Sequence, residues 1–88
     1  MHAVVVQVTI KDDTGAAETY LREQVVPGVS QAPGFVAGYW TRQESRGVGM
    51  VVFESEDAAQ AMGERVPSMV PDVVTLEEVE VLEVVAHA

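Results

Sequence analysis

The segment Ala3 to Ile10 is apolar in both phases of a β-strand, and this constrains the fold more than any other feature. Val4, Val6, Val8 and Ile10 fill one phase and Ala3, Val5, Gln7 and Thr9 the other, while successive side chains of a strand point to opposite faces. A strand with one wet face shows polar residues along that whole face, so the pattern predicts a sheet covered on both sides. Alternation returns from Phe35 to Gln43, where Phe35, Ala37, Tyr39 and Thr41 alternate with Val36, Gly38, Trp40 and Arg42. A β-branched run from Val48 to Glu54 follows, across the polar hairpin turn Glu44-Ser45-Arg46-Gly47. A chain of 88 residues buries a modest share of its surface, so a partner that covers the second apolar face also stabilises the fold.

Helical spacing fills the gaps between strands. The cluster Lys11-Asp12-Asp13-Thr14-Gly15 is a turn in which an Asp or Thr is placed to cap a helix carrying Ala16, Ala17, Tyr20, Leu21, Gln24 and Val25. Pro27 predicts an end or kink near Val25 and Val26, with Val29 positioned to resume the helix. Ser55 is the expected N-cap of a second helix, with Glu56 and Asp57 at the positive end of its dipole and a stop near Arg65, ahead of Pro67 and Pro71. Val73 to Ala86 is again β in character, but Val79, Val81 and Val85 are out of phase with Leu76, Leu82 and Val84, which predicts a bulge or two short strands. Glu77, Glu78, Glu80 and Glu83 mark it as an exposed edge. The order strand, helix, hairpin, helix, strand predicts an α+β protein with a ferredoxin-like βαββαβ fold in one domain, residues 1–88. Its four-stranded antiparallel sheet would carry both helices on one face. A homodimer is the expected cover for the other face, since one self-complementary patch then serves both subunits in a dimeric α+β barrel.

Composition removes several classes of function. The chain has no cysteine, which excludes disulfides, thiolate nucleophiles and sulfur-ligated metals. Fourteen acidic residues against five basic ones give a net charge of −9, a field that repels nucleic acid and anionic membrane surfaces. No apolar run approaches the ~20 residues that span a bilayer, and Met1-His2-Ala3 does not open a targeting segment, so the expected location is cytoplasmic. His2 and His87 are the only imidazoles; both are near termini and are expected to be exposed, and no metal site is expected. Gly47-Val48-Gly49 opens a strand rather than a helix, so it is a hairpin feature and not a phosphate loop. The serines lie in no triad pattern, and Met50, Met62 and Met69 suit a core.

Three segments resemble the dimeric α+β barrel proteins of the antibiotic-biosynthesis-monooxygenase (ABM) superfamily. They are Pro33-Gly34-Phe35-Val36-Ala37-Gly38-Tyr39-Trp40, Val51-Val52-Phe53-Glu54-Ser55-Glu56-Asp57-Ala58-Ala59 and Val79-Glu80-Val81-Leu82-Glu83-Val84. The likeness spans nearly the whole chain and marks fold more than chemistry. It implies a relation to enzymes that oxidise polycyclic aromatics without a cofactor and to others that degrade haem. In the haem-degrading members a strand-one Asn, a second-helix Trp and a later His do the work. Gln7 matches the Asn position and keeps an amide, but Met62 stands at the Trp position and no His occurs from Gly63 to Asp72. The resemblance therefore disfavours haem degradation, and no cofactor is expected.

The candidate catalytic residues are Gln7, Tyr39 and Tyr20. Tyr39 and Trp40 are strand neighbours and face opposite sides; Trp40 is expected in the core or an interface. Two functions follow. The first is a cofactor-independent monooxygenase, or a binder of a small apolar aromatic ligand, with a cavity between helices and sheet in which Gln7 and a Tyr hydroxyl orient the ligand. The alternative is a non-catalytic dimeric structural or interaction module whose cavity is filled by its own side chains. A cavity of several hundred Å3, roughly the size of small-ligand sites, separates the two.

Overall fold

The computed structural model describes residues 1–11 and 14–88. Strands β1 (His2–Ile10), β2 (Phe35–Gln43), β3 (Arg46–Phe53) and β4 (Val74–Glu83) form one antiparallel sheet in the order β2-β3-β1-β4. Between β1 and β2 the chain runs through helix α1 (Ala16–Tyr20), a π-helical turn (Leu21–Val25) and helix α2 (Val26–Ser30). Between β3 and β4 it forms helix α3 (Glu56–Arg65) and a 3-10 turn (Val66–Met69). The helical segments cover one face of the sheet, giving the ferredoxin-like βαββαβ order.

Local chemistry accounts for these boundaries. Ser55 Oγ accepts from the Ala58 amide at 3.1 Å, the side-chain cap expected for α3. Arg65 is the last residue of α3, and Pro67 is accommodated in the tighter turn that follows. Pro27 neither ends nor sharply breaks the first helical segment. It lacks an amide hydrogen and crowds the carbonyl four residues back, and the chain widens just before it, with the Val26 amide donating to the Leu21 carbonyl five residues back. At the start of α1 the cap position falls on Gly15, at φ 89° and with no side-chain cap; Asp12 and Asp13, considered for that role, lie outside the described residues.

The core lies between sheet and helices. Val4, Val51 and Phe53 from the strands meet Val29, Ala59, Met62 and Val66. The rings of Phe53, fully buried, and Phe35 meet edge-to-face at 6.2 Å and 82°, a favoured aromatic geometry.

Two irregularities shift the phases read from the sequence. Between Phe35 and Ala37 the β2–β3 register slips, so Phe35 pairs with Phe53 and shares the helix-covered face with Trp40 rather than with Tyr39. A second slip, opposite Gln7 and Val8, lies at Glu77 and brings Leu76 into line with Val79 and Val81, which pair with Val8, Val6 and Val4 respectively. That is the expected bulge, and it leaves β4 a single strand. β4 is an edge, as its glutamates imply. His2 departs from expectation: it belongs to β1, its side chain is only 21% exposed, and its Nε2 lies 3.7 Å from Glu56 Oε2. The Val84 amide donates to the Met1 carbonyl at 3.0 Å and ties this terminus to the chain beyond β4.

The hairpin turn holds a strained residue. Glu44 has φ 54°, in the left-handed region that costs a residue with a Cβ roughly 1–2 kcal/mol. Glu44→Gly should raise stability by about 0.5–1 kcal/mol after the added freedom of the unfolded chain is subtracted. A rise in the urea midpoint checks this, and a fall would contradict it.

Candidate ligand cavity

Trp40 organises the site. On the helix-covered face of β2 it pairs across the strand with Gly49 and follows Gly38 by two residues. A Cβ at Gly38 would lie 2.8 Å from Trp40 Cη2, and one at Gly49 would lie 2.9 Å from Trp40 Cδ1 and 3.2 Å from Nε1. Both ends of the indole therefore rest where side chains would otherwise stand. The ring lies along the backbone of β2 and β3 instead of rising from it, and the space above stays clear.

That space is a cavity of about 620 Å3 between the sheet and the α1–α2 segment. Val6 and Val8 of β1, Tyr20, Leu21 and Val25 of the helical segment, and Met62, Val66 and Met69 beyond the sheet line it. Its walls are predominantly apolar, and its volume falls in the range of small-molecule sites. Polar chemistry is confined to a few groups. Trp40 Nε1–H has no hydrogen-bond acceptor among the described residues. Arg42 Nη1 donates to Glu18 Oε1 at 3.1 Å, and Arg42 Nε donates to the Glu44 carbonyl at 2.6 Å. Arg22 Nη2 lies 3.9 Å from Glu18 Oε2.

The three candidate residues do not converge. Tyr20 borders the cavity from the end of α1. Tyr39 also borders it, but its side chain is cross-strand from Met50 on the helix-free face, where the residue is 71% exposed. Gln7 does not reach the cavity expected to hold it. It lies on the helix-free face, and its Nε2 donates to Glu78 Oε2 at 3.3 Å. The physical reason is strand parity: the valines flanking Gln7 take the helix-covered face. Trp40 is the cavity floor, while Met62 is 3% exposed in the core beside it. Among the described residues no group of His, Asp or Glu side chains is arranged to hold a metal ion.

Sequence reasoning missed Gly38, Gly49 and Arg42. The available signal was the pairing of Gly-Tyr-Trp at positions 38–40 with Gly-Val-Gly at 47–49 on adjacent strands. Small residues flanking an in-phase Trp on a paired strand leave room for a ring laid flat.

The helix-free face has two parts. Ala3, Val5, Val52, Met50, Tyr39 and Leu82 make an apolar stretch across all four strands. Toward β4, Thr9 Oγ1 donates to Glu77 Oε2 at 2.8 Å, next to Gln7 and Glu78. The hydrogen bond with Glu80, and the repulsion of its ionised form by the Glu80 charge, raise the Glu78 carboxyl from its ordinary value. A carboxyl raised in the folded state favours folding below its unfolded pKa, and that contribution is lost as pH rises through the raised value. Glu80→Gln should therefore stabilise the protein at pH 7 and lose that advantage by about pH 4. Urea midpoints at the two pH values check this; an equal gain at both would contradict it.

These features define a ferredoxin-like α+β protein with a ligand-sized, aromatic-floored cavity, and no helix among the described residues is long and apolar enough to cross a membrane. Among solved structures the chain is similar to an arginine-to-serine mutant of MhuD with two manganese protoporphyrin IX bound per active site, at TM-score 0.61 and 20% identity, covering 98% of this chain and 97% of that one. The likeness is one of fold. No family model matches the sequence, and no curated protein matches it.

Proposed function

We propose that this chain is an ABM-type homodimer whose helix–sheet cavity receives a small, flat, aromatic molecule. The observation that carries this reading is the indole of Trp40 laid over Gly38 and Gly49 at the base of about 620 Å3 of apolar space. A planar apolar ligand gains area burial and ring stacking there, and a single hydrogen bond to Trp40 Nε1–H or the Tyr20 hydroxyl fixes its orientation. Space of this size speaks against a module filled by its own side chains. The MhuD structure supports the reading in fold and in its bound planar macrocycle. The described lining holds Tyr20 and Met62 but neither His nor Cys, the donors that hold haem iron in globins, peroxidases and P450s, and the proposal includes no haem-dependent step.

The homodimer rests on the helix-free face. Tyr39, Met50 and Leu82 are 71%, 46% and 45% exposed there, and a second copy of the same sheet covers them. Gln7 and Tyr39 then belong to the subunit interface, and Tyr20 remains the candidate catalytic hydroxyl. In this reading the reaction is a cofactor-independent oxygenation in which an electron-rich phenolic substrate reduces O2 itself, with Tyr20 donating a hydrogen bond to the oxygen on which charge develops. Melting shifts and oxygen uptake with an anthrone and a quinol test the two levels separately. Binding predicts a stabilisation of about 2.7 kcal/mol at a ligand concentration of 100 Kd. Oxygen uptake that falls in Tyr20→Phe supports the reaction, a melting shift without uptake assigns the chain to binding alone, and the absence of both would contradict the proposal.

A further inference from the structure

The charge around the cavity runs against the charge of the chain. With fourteen acidic and five basic residues overall, the described lining carries one carboxylate, Glu18, and two cations, Arg22 and Arg42. We propose that Arg42 recognises a carboxylate on the ligand, and that Glu18 occupies that position when no ligand is bound. The inference rests on the ligand reading above and narrows it to aromatic acids.

Placement supports this role. Arg42 follows Trp40 by two residues on the same face of β2, about 7 Å along the strand, so a bicyclic aromatic acid stacked on the indole directs its carboxylate to the guanidinium. The guanidinium is braced from behind by its Nε bond to the Glu44 carbonyl. Its side chain is 27% exposed, and no described residue accepts from Nη2. A planar guanidinium with one Nη on a displaceable carboxylate and the other without an acceptor among the described residues suits two-point recognition of a carboxylate.

Glu18 is suited to leaving. Its side chain is 44% exposed, it sits in the five-residue helix α1, and its other oxygen already faces Arg22 at 3.9 Å. When a ligand carboxylate takes Arg42, Glu18 keeps Arg22, and no charge is stranded in the cavity. Exchange of one carboxylate for another costs less than desolvating an unpaired guanidinium.

Equilibrium binding of 2-naphthoate and its neutral analogue 2-naphthamide to the wild-type protein, Arg42→Gln and Glu18→Gln at pH 7 and low salt tests the assignment. The wild-type protein should prefer naphthoate. Arg42→Gln should weaken naphthoate about tenfold and leave naphthamide within about twofold. Glu18→Gln removes the competitor and should tighten naphthoate by about threefold to tenfold, a gain that a misfolded variant cannot produce. Equal effects of Arg42→Gln on both probes, no effect on either, or weaker naphthoate binding to Glu18→Gln would overturn the role of Arg42 while leaving the cavity reading intact. Failure of both probes to bind the wild-type protein would overturn the cavity reading and this inference with it.

Discussion

Gly49→Val should abolish aromatic ligand binding and destabilise the protein by about 2 kcal/mol, within the range for overpacking a close-packed interior. A Cβ at this position already falls 2.9 Å from Trp40 Cδ1, and the opposing atom belongs to a rigid ring resting on Gly38 as well. The indole has to lift off the sheet, into the cavity above it. Stability and binding are thus coupled through one displaced side chain. Gly28→Ala provides the contrast, because a Cβ at Gly28 meets nothing within 4 Å and Ala is the better helix former by about 1 kcal/mol; it should be neutral or stabilising and keep binding. Urea unfolding and probe titration measure both effects. A double-mutant cycle with Trp40→Ala locates the clash: most of the Gly49→Val penalty should disappear once the indole is gone. Full retention of binding by Gly49→Val would contradict this account of the floor.

The second large effect concerns the other face of the sheet. Tyr39→Glu combined with Met50→Glu should raise the dissociation constant of the proposed homodimer at least about 100-fold, equivalent to about 2.7 kcal/mol. These residues are cross-strand partners on β2 and β3 and the two most exposed members of the apolar stretch. In a twofold interface the same patch serves both copies, so the double substitution brings four carboxylates into it. Burying unpaired charge costs several kcal/mol. Both side chains already meet solvent within one subunit, so the fold of the single chain should survive. Sedimentation across the micromolar range reads the outcome, with the wild-type protein as dimer and the variant as monomer carrying an unchanged circular dichroism spectrum. Identical sedimentation of the two would remove this face from the interface.

Much of the fold was legible because the responsible interactions are local. Ser55 followed by two acidic residues specifies a helix start through the backbone amide of Ala58, and the valine alternation of β1 specifies a strand without reference to its neighbours. The hairpin was legible from its polar turn, but the turn is only Glu44 and Ser45: Arg46 and Gly47, read as turn residues, begin β3, with Arg46 paired to Gln43. Cross-strand register was legible only where parity visibly breaks. The slip at Glu77 shows as the phase change within β4, whereas the slip at Val36 leaves the alternation from Phe35 to Gln43 reading as unbroken. The assignment of Phe35 with Tyr39 failed for that reason.

The site was less legible than the fold. Gln7 was singled out through a family likeness at one position, but its parity sends it to the helix-free face, where it bonds Glu78. Trp40 was placed in a core or interface because nothing in its own segment announces a cavity. The cavity comes from absence: two missing Cβ atoms on adjacent strands allow an indole to lie down. Likewise, nothing in the alternation of β2 marks Arg42 out; it is the helical segment that brings Glu18 to it, 24 residues away in the chain.

The chain holds one tryptophan, and it forms the floor of the cavity, so its emission reports directly on occupancy. Titration with a flat aromatic compound that absorbs in the range of indole emission should quench Trp40 along a saturable curve with one ligand per chain. Emission that stays unchanged to the solubility limit, or falls only in the linear, unsaturable manner of random collisions, would show that no planar ligand comes to rest against the indole.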